Sequence, residues 1–281
     1  METLYIVIPV FNRWHFTLAC LKSLSQQSDK RFKTIVVDHG STDDTSGQIA
    51  SLFPDVIVVK GDESMWWTAA VNMGVACALQ HKADYVLTLN NDTVAEPDYV
   101  AQLFKAIESA PVNSLIGSAS IDVNTHQVTY CGEKLLWFSE TSSPHVKHIT
   151  AEPVNGLLEV THFPGRGLLI PAAAFEKIGL FDEKDFPHYM ADYEFTLRAA
   201  KNGFPVFCAW NARIVTYPEA SGANEIKAVK TVNGYKQYLF GIKGGGNLPL
   251  FYRYALRHCP VYALPSHLIL GTARRLIGYW I

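Results

Sequence analysis

Short apolar runs alternate with stretches of helical periodicity over the first hundred residues. A continuous apolar run of four to eight residues is typical of a strand that is buried on both faces of a parallel sheet. Such runs lie at residues 4–8, 34–37, 56–59 and 85–89. Helical stretches separate them, at residues 14–27, after a cap at Thr42 or Asp43, at 68–81, and from Glu96 onward. This alternation predicts βαβ units and an α/β fold, in which helices cover both faces of a mainly parallel sheet.

The pattern changes after about residue 111. Residues 114–170 are rich in β-forming residues but irregular, and two further helices are predicted at 171–178 and about 192–202. Residues 226–281 have amphipathic helical periodicity, which a run of three glycines and two prolines interrupts. We therefore expect a helical C-terminal segment after the α/β body.

The loops that follow the first, second and fourth strands carry the polar residues of interest. In a parallel sheet the carboxyl ends of the strands meet at one edge, and ligands bind outside that edge. Residues 9–13, 38–41 and 90–92 should therefore come together in the folded chain.

Two of these loops contain a carboxylate with two interpretations. Asp38 follows a buried strand and precedes Gly40, so it either hydrogen-bonds a base or ribose or closes the loop as an Asx turn. Spacing alone slightly favours the turn. Asp92 in the NND segment offers the hard oxygen ligands that Mg²⁺ or Mn²⁺ prefers, but the same segment suits a polar turn before a helix.

Two acidic residues and two tryptophans have similarly open interpretations. Asp192 and Glu194 lie where a helix is predicted to begin, and acidic residues favour that position for electrostatic reasons alone. The alternative is a general base directed into a cleft. Trp66 and Trp67 follow the third strand and either stack on a sugar or base or pack within the core or a lid.

Composition and charge limit the class of protein. With 48% hydrophobic and 18% charged residues, the 281-residue chain is neither disordered nor fibrous. The net charge of −2 is unevenly divided, because residues 226–281 hold eight Lys and Arg and no acidic residue. Five scattered cysteines without a CxxC pair argue against a disulfide framework or zinc site. There is no signal peptide and no run of about 18 apolar residues, so we expect a cytoplasmic protein.

Six segments, in order, resemble family 2 of the glycosyltransferases, whose members have the GT-A fold. The resemblance extends over about residues 3–217. The segment at 87–93 is similar to the variant in rhamnosyltransferase-like members. The matching segments are IVIPVFNR (6–13), IVVDHGSTD (35–43), WWTAAVNMG (66–74), LTLNNDT (87–93), GRGLLI with GLFDE (165–170 and 179–183), and residues 189–198.

The resemblance implies a division of the chain and a reaction. A GT-A domain would occupy residues 1–225, as a nucleotide-binding half (1–110) and an acceptor-binding half (111–225), followed by a basic amphipathic extension at 226–281. The reaction would transfer a sugar with inversion from a nucleotide-diphosphate donor, dTDP-rhamnose or a UDP-hexose, to a saccharide acceptor. The setting would be bacterial surface polysaccharide biosynthesis, such as O-antigen or capsule, with no nucleic-acid partner.

The resemblance also implies a role for each of eight residues. Asp192 would be the catalytic base, which accepts the proton of the attacking acceptor hydroxyl. Asp92 would bind the divalent metal, Mg²⁺ or Mn²⁺, which stabilises the departing diphosphate. The donor would contact Pro9, Phe11 and Asp38 through its base, Arg13 through its phosphates, and Asn90 and Asn91 through its ribose and diphosphate.

The sequence departs from the family pattern in three places. Asp92 is the only carboxylate of a motif that usually has two, so either metal affinity is weak or the diphosphate supplies most of the metal ligands. Ala191 stands where an acidic residue usually precedes the catalytic base, which leaves Glu194 as an alternative base. Residues 214–218 lack the histidine that many members use as a metal ligand.

The C-terminal segment has two interpretations. Residues 247–281 combine aromatic and aliphatic residues with four arginines, and a basic amphipathic helix of this kind suits a membrane surface. The alternative is a helix that packs on the body or in a dimer interface. The resemblance adds weight to the membrane, because many relatives act on lipid-linked saccharides at its inner face.

Two other functions compete with sugar transfer. A nucleotidyltransferase also uses a parallel sheet and a carboxylate-bound metal, but it usually needs a glycine-rich loop after the first strand, and residues 10–14 contain no glycine. A catalytically degenerate transferase that only binds nucleotide or sugar would suit the reduced metal motif, whereas the retained Asp192 argues against it.

Overall fold

The computed structural model describes residues 2–149, 151–217 and 230–281, and within them twelve strands and nine α-helices are assigned. The strands are β1 (Leu4–Val10), β2 (Phe32–Asp38), β3 (Ile57–Lys60), β4 (Tyr85–Thr88), β5 (Thr93–Ala95), β6 (Leu115–Asp122), β7 (Val128–Tyr130), β8 (Glu133–Leu136), β9 (Thr141–Pro144), β10 (Leu157–Glu159), β11 (Leu168–Pro171) and β12 (Val206–Thr216). The helices are α1 (Trp14–Ser25), α2 (Thr45–Leu52), α3 (Trp67–Gln80), α4 (Tyr99–Ser109), α5 (Ala172–Ile178), α6 (Ala191–Lys201), α7 (Val232–Phe240), α8 (Leu248–His258) and α9 (Leu264–Ile277).

The N-terminal half contains the predicted parallel sheet, with strands in the order β3-β2-β1-β4. Val10, the last residue of β1, is paired with Asp38, the last residue of β2. The loops after these strands therefore begin at the same edge of the sheet, as the apolar runs predict.

The sheet continues into the second half of the chain as a mixed sheet. Strand β11 lies antiparallel between β4 and β6, and β12 runs parallel to β6. Short strands β10, β5 and β7 add to this side, while β8 and β9 form a separate hairpin. The α/β prediction is confirmed, with a mainly parallel half joined to a mixed one.

Two hydrophobic clusters, one on each face of the sheet, form the core. Alternate residues of β1 face opposite clusters: Val7 packs with Val71 of α3, whereas Ile8 packs with Leu21 of α1. All four side chains are almost completely buried. Burial of each such side chain contributes about 2 kcal/mol of hydrophobic free energy, so the continuous apolar run of β1 is what a strand covered on both faces requires.

Two details around the strand ends differ from the prediction. Neither Thr42 nor Asp43 caps α2, which begins after Asp44. Instead the Asp43 carboxylate accepts a hydrogen bond from the backbone N–H of Trp14, 3.0 Å away, at the start of α1. Because the two loops converge, Asp43 after β2 accepts a hydrogen bond from the N-terminal end of α1, which follows β1. This contact joins residues far apart in sequence, so local capping rules do not predict it.

The second difference concerns the segment after Asp92. A helix was expected directly from Glu96, but β5 intervenes and α4 begins at Tyr99. Strand β5 pairs antiparallel with β12, with Thr93 opposite Thr216. The NND segment is thereby held between β4 and the end of β12.

The C-terminal helices pack on the body. Helix α8 contacts α6, and α9 contacts α8. Arg257 of α8 forms ion pairs with Asp182 at 2.7 Å and Asp185 at 2.8 Å, while Arg274 and Arg275 of α9 lie 2.6 and 2.8 Å from Glu140. The uneven charge distribution thus reflects a basic segment docked on acidic residues of the body. Residues 226–229 of this segment lie outside the described residues.

Candidate active site

A cleft of about 560 Å³ opens at the carboxyl edge of the parallel strands. Six of the eight residues that the sequence singles out line it: Pro9, Phe11, Arg13, Asn90, Asn91 and Asp92. The other lining residues are His39, Glu63, Met65, Trp66, Trp67, Arg166, His188, Tyr189, Thr216, Tyr217 and Lys243. Asp38 and Asp192 do not line the cleft. Asp38 directly precedes the lining residue His39, and Asp192 is hydrogen-bonded to Gly165, which directly precedes the lining residue Arg166.

Hydrogen bonds from the loop after β2 hold the conformation of the loop after β1. Asn12 and Arg13 both have a left-handed backbone, with φ of 56° and 62°. The backbone N–H of Asn12 donates to Ser41 Oγ at 2.8 Å, and its side-chain Oδ1 accepts from the N–H of Thr42 at 2.7 Å. These bonds hold an otherwise unfavourable conformation, which places Arg13 in the cleft.

Asp38 lies beside the cleft with its carboxylate already bonded. The N–H of Ser41 donates to Oδ1 at 2.9 Å, and the Ser46 hydroxyl donates to Oδ2. Burial alone would raise the pKa of Asp38, but the hydrogen bonds from Ser46 and Ser41 outweigh it and lower the pKa. This is the geometry of the Asx-turn interpretation. Its neighbour His39 reaches the cleft and stacks on Phe11, with ring centroids 5.4 Å apart.

The NND segment is fixed by contacts on both sides. Trp67 Nε1 donates to Asn90 Oδ1 at 3.1 Å, and Asn91 Nδ2 donates to Thr17 Oγ1 at 3.0 Å. Trp67 therefore has a defined role as a lining and positioning side chain, and it also contacts Phe181 edge-on. The turn presents the Asp92 carboxylate to the cleft.

Asp92 faces two arginines. Burial raises the pKa of its carboxyl above the ordinary value, against the opposing positive charges of Arg13 and Arg166. An additional cation would stabilise the ionised form of this carboxylate. The cleft thus contains a half-buried acid that two guanidinium groups only partly compensate.

The residues near Asp92 determine what metal could bind. Asn90 Oδ1 is engaged by Trp67, which leaves the Asp92 carboxylate and the Asn91 amide oxygen as protein ligands. Across residues 2–149, 151–217 and 230–281, no group of three or more His, Cys, Asp or Glu side chains is placed to hold a metal ion. Mg²⁺ is commonly bound through one or two carboxylates together with substrate phosphates, and this ligand set fits a metal of that kind.

Asp192 occupies the first turn of α6, after Met190 with a left-handed φ of 68°. Its Oδ2 accepts from the N–H of Gly165 at 2.8 Å, and its Oδ1 accepts from the N–H of Tyr193 at 2.9 Å. Burial raises the pKa of Asp192 despite these two bonds. Gly165 precedes the cleft residue Arg166 and contacts the Trp67 ring, so the carboxylate lies directly behind the cleft wall.

Glu194 has a different environment. Its side chain is fully buried and pairs with Arg198 at 3.0 Å and Arg257 at 3.2 Å. Burial would raise the pKa of Glu194, but the adjacent His258 and Arg198 outweigh it and lower the pKa to about 2. A carboxylate so strongly held in its ionised form by cations is a poor proton acceptor, so Asp192 is the better candidate for a base on this helix.

Sequence reasoning assigned no role to four lining residues that do not follow a parallel strand. These are Arg166, His188, Tyr189 and Lys243. His39 Nδ1, His188 Nδ1 and Arg166 Nε are buried, and none has a hydrogen-bond partner in the described parts of the chain. Buried polar atoms without partners are costly, so these groups indicate a place for a polar ligand. In the sequence, the glycines beside Arg166 and Lys243 are the only features that could have drawn attention to these lining residues.

Comparisons with known proteins agree with this architecture. Residues 5–146 match the sequence model of glycosyl transferase family 2, and residues 85–272 match that of glycosyl transferase family group 2. An uncharacterised glycosyltransferase of Rickettsia prowazekii is 30% identical over 192 residues, 67% of this chain and 56% of that protein. The glycosyltransferase GlyG of Streptococcus pneumoniae is 25% identical over 121 residues, 42% of this chain and 39% of that protein. The chain therefore spans only about half the length of these curated relatives or less.

Two solved structures have the same fold. GalNAc-T7, crystallised with UDP, GalNAc and Mn²⁺, gives a TM-score of 0.64 at 14% identity over 92% of this chain and 50% of that one. Residues 1–349 of TarS from S. aureus give 0.58 at 13% identity over 99% of this chain and 91% of that one. The GT-A prediction is confirmed, and the chain belongs to glycosyltransferase family 2. In the described residues, no helix has the length and apolarity needed to cross a membrane.

Proposed function

We propose that the chain transfers a sugar, with inversion, from a nucleotide-diphosphate donor to a saccharide hydroxyl. The observation that carries the proposal is the arrangement of two carboxylates at one cleft. Asp92 lines the cleft near Arg13 and Arg166, and Asp192 adjoins the same cleft through its hydrogen bond with Gly165. Inversion by direct displacement needs one group that stabilises the leaving diphosphate. It also needs a second group that activates the acceptor hydroxyl on the opposite face of the sugar.

The donor side would be the cationic end of the cleft. Arg13 and Arg166 would neutralise charge on the departing diphosphate, while Phe11 stacked on His39 would form one wall of the base pocket. Asp38 would hold the loop that builds this pocket and contact the base. Asp92 and Asn91 would hold a Mg²⁺ or Mn²⁺ shared with the phosphates. Such a metal supplies Lewis-acid stabilisation of the leaving group.

Asp192 would act on the acceptor. A carboxylate with a raised pKa accepts a proton more readily than an ordinary one, and its two backbone hydrogen bonds fix its orientation. It would take the proton of the acceptor hydroxyl as that oxygen attacks the anomeric carbon. The bond between that carbon and the diphosphate oxygen would break in the same step.

We propose a UDP-hexose or dTDP-rhamnose as donor and a bacterial surface polysaccharide as product. The presence of UDP and Mn²⁺ in the GalNAc-T7 structure supports a UDP-sugar, while the LNNDT segment supports dTDP-rhamnose. The family match supports sugar transfer over the nucleotidyltransferase alternative. The cytoplasmic location stays a prediction.

Nucleotide binding tests this proposal. UDP, dTDP and their sugars should raise the melting temperature of the protein, and Mn²⁺ should enlarge the rise, because ligands that bind only the folded state stabilise it. Asp92→Asn should remove the Mn²⁺-dependent part, whereas Asp55→Asn, at an exposed position outside the cleft, should leave it unchanged. No shift with any nucleotide would contradict the proposal, and a full shift without metal would contradict the role of Asp92.

We also propose that the C-terminal helices touch a membrane surface. Leu256, Val261 and Ile269 are each more than 60% exposed. The four arginines of this region are paired with the body, so apolar contact would dominate the attachment. Replacement of the three aliphatic residues by serine should abolish flotation with phospholipid vesicles, while the fold, measured by circular dichroism, is kept. Unchanged flotation, or no flotation of the wild type, would refute this contact.

A further inference from the structure

Lys243 lies in the turn between α7 and α8, far along the chain from the strand-end loops, yet its side chain lines the cleft. Its Nζ lies 5.7 Å from the centre of the Trp66 ring. Within the described residues, no carboxylate is within 4 Å of this ammonium group. A cation–π contact of this kind is weaker than a charge-assisted bond to phosphate, so Lys243 can exchange it for an anionic ligand.

The other cations of the helices that follow have protein partners. Arg253 and Arg257 pair with acidic residues of the body, and Arg274 and Arg275 pair with Glu140. These pairs dock α8 and α9 on the body. Lys243 differs from them, because it lines the cleft and forms no ion pair within the described parts of the chain.

The turn that carries Lys243 has a defined shape. Asn247 Nδ2 donates to the Gly241 carbonyl at 2.9 Å, and Asn247 Oδ1 accepts from the N–H of Leu250 at 2.9 Å as the cap of α8. A Cβ on Gly244 would lie 2.3 Å from the Tyr238 carbonyl, and one on Gly246 would lie 2.2 Å from the Tyr238 ring. Only glycine fits these two positions, so the three-glycine run serves to close the turn tightly.

Lys243 forms no ion pair with any of the described residues, although Glu63 lines the same cleft. Its near neighbour His188 is buried, and burial together with the charge of Lys243 lowers the pKa of that imidazole to about 4. His188 is therefore neutral at pH 7. The two arginines of the cleft lie instead beside Asp92. Positive charge at Lys243 thus remains available to an anionic ligand at the His188 side of the cleft.

We propose that Lys243 binds a phosphate group of the substrate, and that the C-terminal segment thereby completes the active site. The substrate class rests on the proposed function, in which a nucleotide diphosphate occupies this cleft. Lysine suits the task, because its ammonium group binds phosphate as a compact point charge without demanding a fixed geometry. The phosphate belongs either to the donor diphosphate or to a phosphorylated acceptor, and both present the same anion to Lys243.

Calorimetric titration of the full chain tests this proposal with three probes: inorganic pyrophosphate, UDP or dTDP, and the corresponding nucleoside. Lys243→Ala should weaken pyrophosphate and nucleotide binding about tenfold and leave nucleoside binding unchanged. Lys236→Ala is the matched control, since Lys236 is an exposed lysine of the same segment that does not line the cleft. Lys243→Arg should restore most of the affinity.

The source of the phosphate follows from a second measurement. If nucleotide binding is unaffected but the KM for the acceptor rises about tenfold in Lys243→Ala, the lysine binds an acceptor phosphate. If neither changes while the wild type binds nucleotide, the inference about Lys243 is wrong and the proposed function stands. If the wild type binds neither pyrophosphate nor nucleotide, the proposed function fails and the inference falls with it.

Discussion

The two sides of the first turn of α6 receive acidic residues of opposite character. Asp192 faces the cleft wall and keeps only backbone hydrogen bonds, and burial raises the pKa of its carboxyl. Glu194 faces α8 and is surrounded by cations, which lower the pKa of its carboxyl to about 2. Side chains two residues apart in a helix are rotated by about 200° around its axis, so they lie on nearly opposite faces. Two acidic residues in one helical turn can therefore have carboxyl pKa values shifted in opposite directions, according to the partners on each face.

The largest effect should come from Asp192→Asn. We expect kcat for sugar transfer to fall about a thousandfold, because the acceptor hydroxyl loses its proton acceptor. The melting temperature at pH 7 should change little, because two effects oppose each other. The neutral amide avoids the cost of a buried charge, but its single oxygen can accept only one of the two backbone hydrogen bonds.

Transfer assays and thermal unfolding of the same preparation check this prediction. Glu194→Gln is the control, since its transfer rate per folded molecule should stay near the wild-type value. Full activity of Asp192→Asn would refute the assignment of the base while leaving the fold assignment intact.

Glu194→Gln should have the second largest effect, on stability. We expect the free energy of unfolding to fall by about 3 kcal/mol, because the substitution leaves Arg198 and Arg257 without their buried counter-charge. The pKa of this carboxyl is lowered from 4.5 to about 2 by folding. The stability difference from wild type should therefore be complete above about pH 4.5 and disappear as the pH falls towards about 2.

Chemical denaturation at several pH values measures this difference. A stability gap that is independent of pH between 5 and 2 would mean that packing, and not ionisation, is what Glu194 contributes. A gap that widens on acidification would contradict the ion-pair account altogether.

The smallest effect should come from Arg253→Ala. This residue of α8 is about half exposed and lies 3.7 Å from Asp185, so the loss should be under about 1 kcal/mol, as for other exposed pairs. Added salt should reduce this loss of stability further, because it screens exposed charges. The loss caused by Glu194→Gln should depend much less on salt, because that ion pair is buried. A loss as large as that of Glu194→Gln, measured in the same denaturation series, would show that burial is not what separates the two ion pairs.

The part of the cleft formed by the strand-end loops could be predicted from the sequence, and the reason is local. Each apolar run ends at a polar loop, and parallel strands bring their carboxyl ends to one edge whatever else the chain does. Pro9, Phe11, Arg13 and the NND segment line the cleft for that reason. The bond between Asp38 and Ser41 agrees with the Asx-turn interpretation, whereas the bond between Asp43 and Trp14 could not be predicted in the same way, since it joins two separate loops.

Fold class, the strand-end loops and the family resemblance were determined by the sequence alone, because periodicity and chain order specify which elements form and which of their ends coincide. The tertiary structure decided the rest. It set Asp192 apart from Glu194 and used the basic C-terminal segment to dock on the acidic body. It also brought Lys243 to the cleft that Arg13 lines. The physical reason is that burial and charge pairing depend on distances between residues remote in sequence, which no local pattern contains.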